Sequence, residues 1–443
     1  MHKNFIKILA RFIIRNITPS YYFHFIFFLL INKKKIKLQN QDVLLALNPF
    51  RFRDDLEILE SKNKDIIIYR MVFKLQCFLF TCFYTDLKHE VHNIKKPKGR
   101  AEQLLYQNFL RSFLLLMVKK FKIKAVIGAG IHYKQDYDIA YIFKEIGIPV
   151  LIFHREGNLA SEEYKELFEL RCLRYKKFHG TALMVHNNIQ KKLILKANYL
   201  DSPNIHIVGV IRMDSWLNKN KNKNMTRNKV LNKRVVLFSF GPGAGIMSSK
   251  PPQWPDDIER YMPNLCRGVH RTFIDFAIQN PDIEVIIKCK WDGNWKESIL
   301  KLLHIDNNDL DKISNLIITA DKDAQNLISI SDVVCGFGST TLLEAAIAGK
   351  AVIIPHFSEI AKPEYFQNIF YKEYFDCFNI ARSSTQLYSI LEKYSKKIFK
   401  EGSVQKRRET MFEDYISPCN ARASINSYKL IKNYIKNNHK SLL

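Results

Sequence analysis

The residues best suited to chemistry lie between Ser331 and Pro355, in the run SDVVCGFGSTTLLEAAIAGKAVIIP. A short apolar strand, Asp332–Cys335, leads into Gly336, Phe337 and Gly338, where glycine lets the backbone turn tightly and come close to a ligand. Ser339, Thr340 and Thr341 then open a helix. The first N–H groups of a helix have no partner within it, and they collect with three hydroxyls at the positive end of the helix dipole. That combination suits an anion such as a diphosphate. Glu344 follows one turn later and can accept hydrogen bonds from ribose or acceptor hydroxyls. Gly349 ends the helix and Pro355 ends the next strand. An ordinary strand–turn–helix with a Ser/Thr cap would also read this way, but the paired glycines and the triple hydroxyl run favour a ligand.

Three further motifs could serve the same chemistry. Ser239–Gly245, SFGPGAG, follows a strand and carries Gly241, Gly243 and Gly245, without the Gly-Lys-Ser/Thr of a Walker A loop. The strand Val285–Ile287 ends in two cations, Lys288 and Lys290, as an ordinary solvated strand end also can. On the other half of the chain, Gly128-Ala129-Gly130-Ile131-His132 and His154-Arg155-Glu156-Gly157-Asn158 close two strands with polar groups. Any step that deprotonates a hydroxyl needs a general base within hydrogen-bond reach, and His154 and Glu156 are the candidates, with His132 next. Arg155 could pair with the base or with a phosphate, and Asp54 and Asp55 are a further, weaker option. No Asp-x-Asp motif and no ligand-spaced His/carboxylate pair points to a metal. A leaving diphosphate would then be stabilised by helix dipole, hydroxyls and lysine. The aromatic run Pro363–Phe378 could line a base or sugar, though packing is the better reading.

The elements that must position these groups alternate strand and helix. Apolar runs at 42–48, 65–71, 124–130, 149–154, 182–187 and 205–210 read as strands, with helices over Arg100–Lys122, Asp136–Glu145 and Ser161–Phe178. A second series has strands at 234–240, 283–289, 315–319, 332–335 and 351–354, and helices at about 266–279, 294–303, 322–329 and 340–348. This alternation predicts an α/β chain with two doubly wound, Rossmann-like domains facing a central cleft. The expected division is a basic apolar segment over 1–37, an α/β domain over 38–215 and a linker over 216–233. A second α/β domain over 234–402 and a helical segment over 403–443 complete it. The linker rests on the polar, low-complexity run NKNKNKNMTRNKVLNK.

The chain of 443 residues carries 69 Lys+Arg against 43 Asp+Glu, a net charge of +26, which favours anionic partners. Part of that excess follows a general abundance of Lys, Asn and Ile. The lysines are scattered and no nucleic-acid motif occurs, so nucleic acid is not expected as a partner. The 8 Cys form no CxxC pair and read as reduced thiols of a cytoplasmic protein. The run YYFHFIFFLLI at 21–31, flanked by lysines, is too short to span a bilayer, which takes about 20 residues. With the basic, apolar Phe5–Ile17 it reads either as an anchor on an anionic membrane surface or as a first helix packed on the domain.

The motif from Ser331 to Pro355 resembles the donor-site signature of GT-B glycosyltransferases. It is most similar to the teichoic-acid, capsule and Kdo-type transferases of bacterial surface polysaccharides, and related to that of the non-hydrolysing UDP-sugar 2-epimerases. The likeness is specific over about 315–355, weaker over 234–300, and architectural elsewhere. Where similar enzymes often continue with His-Pro after the strand-end cation, this chain has Cys289-Lys290-Trp291. The resemblance implies a metal-independent transferase without a cofactor, working on a nucleotide-sugar or similar donor and a glycan or lipid-linked acceptor. Phosphate would be held by Ser339 and Thr340, with Gly241, Gly243, Lys288, Gly338 and Thr341 around it and Glu344 on ribose or sugar hydroxyls. Such an enzyme would be cytoplasmic, at the inner face of the membrane. The rivals are an isomerase of the 2-epimerase kind and a catalytically silent domain that scaffolds polysaccharide assembly.

Overall fold

The computed structural model describes residues 12–16, 31–32, 41–84, 96–155, 158–175, 178–226, 233–246, 253–291, 293–399, 402 and 404–441. Its strands are short runs of Val, Ile and Leu buried on both faces, as parallel strands covered by helices on each side must be. In the first half these are β1 Ile31–Asn32, β2 Asp42–Ala46, β3 Ile66–Met71, β4 Ile123–Gly128, β5 Val150–His154, β6 Ala182–Val185 and β7 Ile205–Ile207. They form a seven-stranded sheet in the order β1-β3-β2-β4-β5-β6-β7. All neighbours are parallel except β1, which runs antiparallel to β3 with Ile31 opposite Met71.

In the second half the strands are β8 Arg234–Phe238, β9 Glu284–Lys288, β10 Leu316–Thr319, β11 Val333–Gly336, β12 Ala351–Pro355 and β13 Asn379–Ala381. They form a parallel six-stranded sheet in the order β10-β9-β8-β11-β12-β13. Both sheets are doubly wound. The direction of winding reverses between β2 and β4 in the first and between β8 and β11 in the second. Loops leaving the carboxyl ends of such a strand pair diverge and open a crevice, the place where ligands bind open α/β sheets.

The chain divides into two compact units. The first comprises Met1–Gly157, Glu169–Ser215 and Asn420–Leu443; the second comprises Asn158–Phe168 and Trp216–Cys419. The first unit's core joins Leu44, Ile68, Ile127 and Leu151 of its sheet to Ile431 and Ile435 of the terminal helix Ala423–Ser441. Asp214 fixes the start of that helix: its Oδ1 accepts from Ala423 N at 2.9 Å and its Oδ2 from Ser424 N at 2.8 Å. The second unit's core packs Val235, Ile287, Val333 and Ile353 against Phe273 and Phe276 of the helix Pro263–Gln279 and Leu387 of the helix Ser384–Lys396.

Several elements differ from the sequence reading. The polar run expected as a linker is helical through Met213–Thr226. Lysine holds a helix well, the acidic Asp214 stands in its first turn, and the buried Trp216 and Leu217 anchor one end. Of the basic N-terminal segment, Ile14 is buried, and Arg15 donates to the carbonyls of Cys82 and of Phe83 (3.0 Å) at the end of the helix Phe73–Phe83. Ile31 belongs to the sheet edge. Those described residues pack on the first unit, while the rest of the expected anchor lies outside the described residues. Among the described residues, no helix is long and apolar enough to cross a membrane. The helical C-terminal segment is two helices, Val404–Tyr415 and Ala423–Ser441.

Candidate functional site

In the second unit the three motif strands are neighbours, β9-β8-β11, so their carboxyl ends lie side by side. The loop after β8 is rooted by Ser239, whose N–H bonds to Lys288 O at 2.9 Å. Its hydroxyl sits 2.8 Å from His270 Nε2 and accepts from Trp295 Nε1 at 2.8 Å. His270 is fully buried, with Nδ1 2.8 Å from Cys266 O. Burial pushes its imidazole down to about 4, so the ring is neutral at pH 7. One arrangement of protons satisfies every member: Nδ1–H donates to Cys266 O, Nε2 accepts from Ser239, and Ser239 accepts from Trp295. The sequence reading missed this network, because its three side chains come from a loop and two separate helices.

The glycines of the two loops are required for reasons more specific than ligand approach. A Cβ on Gly241 would lie 2.0 Å from Gln253 O, while Gly243 N donates to that same carbonyl at 3.1 Å. Gly245 and Gly338 have φ of +81° and +62°, and an added Cβ would meet the Phe370 ring at 2.8 Å and 3.2 Å respectively. Both loops therefore close on one buried aromatic ring. Phe370 belongs to the aromatic stretch 363–378, and its role is packing. Its neighbour Tyr371 is fully buried, donates its N–H to Ala160 O at 2.9 Å, and places its hydroxyl within 3.3 Å of Ser339 O.

Replacing Gly338 by alanine is expected to cost about 1–3 kcal/mol, from the left-handed backbone and the crowded ring together. Gly402→Ala is the control: its φ is +48° but nothing lies within 4 Å of the new methyl. Thermal unfolding of both variants checks this; equal losses would mean that the ring contact contributes nothing.

The hydroxyl run behaves as a partly exposed cap. Ser339 Oγ is 2.7 Å from Thr341 Oγ1 and accepts from Thr341 N at 3.3 Å, at the start of the helix Thr341–Ile347. Gly338, Ser339, Thr340 and Thr341 are half-buried, and the Thr340 side chain makes no capping bond. Glu344 is buried behind them and accepts from Gln325 Nε2 at 3.2 Å. Lys288 is held differently from expectation. Its ammonium donates to Cys289 O at 2.6 Å and Ala320 O at 2.7 Å, committing two of its three donors to the protein.

In the first unit, polar side chains collect at the carboxyl ends of β2, β4, β5, β6 and β7. His154 ends β5 and is buried; His132 follows β4 and is half-buried, its ring 6.2 Å from that of His154. Glu156 lies outside the described residues. Asp54 is exposed beside Arg53, whereas Asp55 is buried. Asp55 Oδ1 accepts from Arg212 N at 3.0 Å, and Oδ2 faces Arg155 Nε at 3.5 Å and Arg212 Nη1 at 3.7 Å. Burial pushes the Asp55 carboxyl up, opposed by the two guanidiniums. His186, after β6, is held well below the usual imidazole range by burial, then by the charges of Arg212, His154 and Arg155. The sequence reading reached Asp55 and Arg155 but not His186 or Arg212. Among the described residues, no group of three or more His, Cys, Asp or Glu side chains is placed to hold a metal ion.

No family model matches the chain, and no curated protein matches its sequence. Solved structures do match. The UDP-GlcNAc 2-epimerase of Methanocaldococcus jannaschii is 13% identical over 89% of this chain and 99% of that one, with a TM-score of 0.50. The UDP-GlcNAc 2-epimerase of Neisseria meningitidis bound to UDP-GlcNAc is 14% identical over 88% and 99%, with a TM-score of 0.46. MurG of Acinetobacter baumannii is 14% identical over 89% and 99%, with a TM-score of 0.43. At such identities the likeness is one of fold, carried by the first of these: the chain is an α/β protein of two Rossmann-like domains, of the GT-B type.

Proposed function

We propose that the protein is a metal-independent transferase that moves a sugar, or a related group such as a polyol phosphate, from a nucleotide donor to a surface glycan or glycolipid acceptor. The observation that supports it most is the convergence of both glycine loops at the β8/β11 reversal, with the half-buried hydroxyls of Ser339, Thr340 and Thr341 beside them and Glu344 behind. In this reading the backbone of Gly241, Gly243 and Gly338 and the three hydroxyls bind the diphosphate. Glu344 accepts from ribose or sugar hydroxyls. Lys288 contributes its charge and its one remaining donor at the edge of that group. The first unit supplies the base. His132 suits that role better than the buried His154, because a base must reach the acceptor hydroxyl. Glu156 remains a candidate by sequence. No cofactor is required. Work on a lipid-linked acceptor would place the enzyme at the inner face of the membrane.

A thermal-shift series with CMP-, CDP-, UDP-, GDP- and dTDP-linked compounds tests the donor half. A ligand present at 100 times its dissociation constant adds about 2.7 kcal/mol of stability. One nucleotide series is expected to stabilise the protein, and Ser339→Ala to lose most of that response. If no series does so, the scaffold reading replaces the enzyme. The fold is also that of an isomerase, and product analysis separates the two: an isomerase converts the free nucleotide sugar with no acceptor added.

A further inference from the structure

The first unit holds a cationic cluster that the transferase reading does not use. Arg155 and Arg212 leave the ends of β5 and β7 and share a single carboxylate, Asp55, whose side chain is only 7% exposed. One oxygen of that carboxylate is taken by Arg212 N. The other lies 3.5 and 3.7 Å from the two guanidiniums, beyond a good hydrogen bond. Arg155 Nε and Arg212 Nη1 are buried with no hydrogen-bond acceptor among the described residues. The two side chains nevertheless stay 28% and 36% exposed. His132, His154 and His186 come from the neighbouring strand ends and supply no negative charge. Asp54 also acts on Arg155 but is exposed and pairs with Arg53, so two guanidiniums against the one carboxylate in direct contact leave a net positive charge and unused donors, which suit a tetrahedral oxyanion. A buried donor without a partner is destabilising, and an arriving oxygen would recover that loss.

We propose that Arg155 and Arg212 form an oxyanion site in the first unit that binds a phosphate group of the acceptor. That the phosphate belongs to an acceptor rests on the transferase reading; the binding of phosphate does not. The phosphate could sit on a soluble metabolite or on a lipid headgroup.

The test titrates the full chain with inorganic phosphate and glycerol 3-phosphate by calorimetry, and with phosphatidylcholine vesicles with or without phosphatidic acid by flotation. Saturable phosphate binding is expected, weakened about tenfold or more by Arg212→Gln and by Arg155→Gln. Asp55→Asn, which keeps the shape and removes the competing charge, is expected to tighten it. An internal ion cluster with no ligand would give the opposite pattern: Asp55→Asn would lower stability and leave phosphate affinity unchanged. Thermal unfolding of each variant confirms that it folds, and Arg212→Lys, which keeps the charge but loses the fork, covers the case in which a glutamine variant does not. Flotation with phosphatidic acid alone identifies the headgroup as the source, and binding of glycerol 3-phosphate without flotation identifies a soluble one. The inference falls if phosphate does not bind saturably up to tens of millimolar, or if Ser339→Ala abolishes the binding and so assigns it to the second unit. Nucleotide binding is read separately, so this site can fail while the donor half stands.

Discussion

Arg408→Met is expected to remove about 4 kcal/mol of stability, measured by urea unfolding with an unchanged slope. Arg408 is fully buried in the helix Val404–Tyr415, and its whole fork is engaged by backbone. Nε and Nη2 donate to Cys377 O at 3.1 and 2.9 Å, and Nη1 donates to Ala346 O at 3.2 Å and Lys350 O at 3.0 Å. The last two carbonyls lie at the carboxyl end of the helix Thr341–Ile347, which carries Glu344. The last carbonyls of a helix have no partner within it, and a cation there also meets the negative end of the dipole. Methionine fills much of the volume but strands the buried carbonyls of Cys377 and Lys350, each costing about 1–3 kcal/mol, while Ala346 O keeps the Gly349 N–H at 3.1 Å. Arg408→Lys should rescue little, because one ammonium cannot span acceptors on two sides. A loss below about 1 kcal/mol would mean that water replaces the fork.

The second large effect is on pH dependence. Asp136 and Asp138, on the helix Lys134–Glu145, are buried beneath the helices Phe73–Phe83 and Pro97–Phe121. Asp138 accepts from Tyr84 OH at 2.6 Å, Gln107 Nε2 at 2.7 Å and Gln103 Nε2 at 3.1 Å; Asp136 accepts from Gln76 Nε2. Burial outweighs these donors and pushes Asp136 up to about 7 and Asp138 up to about 6. Both values exceed that of an unfolded chain, near 3.8. Between roughly pH 4 and pH 7 the folded state therefore binds more protons than the unfolded one, and stability falls as pH rises. For Asp136 alone the integrated loss is about 4 kcal/mol, as an upper bound. Asp136→Asn should be at least as stable as the parent at neutral pH and should flatten the profile. Equal losses at acid and neutral pH would show that the carboxyl stays ionised.

Much of the fold was legible because its signals are local. Runs such as VVLFSF and AVIIP are buried on both faces, and they can only be central parallel strands. The position of the Ser331–Pro355 motif at the end of β11 followed from a strand–glycine–hydroxyl–helix order within a few residues. What the glycines pack against was not legible. Gly245 and Gly338 look like openings for a ligand, yet each faces Phe370, which is distant in sequence from Gly245 and carries no mark of that role. Ser239, His270 and Trp295 were unreadable as a set for the same reason. Lys288 has the right type and place, but only coordinates reveal the two carbonyls it holds. Of the apolar run at 21–31 only Ile31, at the sheet edge, is among the described residues, so the anchor reading of the rest lies outside them.

The terminal helix has a consequence for how the protein is made. Ile431 and Ile435 complete the core of the first unit, and Asp214 waits for Ala423 and Ser424. A ribosome emits the chain in order, and domains usually close as they emerge. Here the first unit stays open along one wall until residues 423–441 are released, after the second unit has been synthesised. The nascent chain thus exposes apolar surface of the first sheet until the helix that covers it has emerged. Loss of Ala423–Ser441 would damage the first unit, whose sheet is translated before the second unit, and leave the core of the second intact.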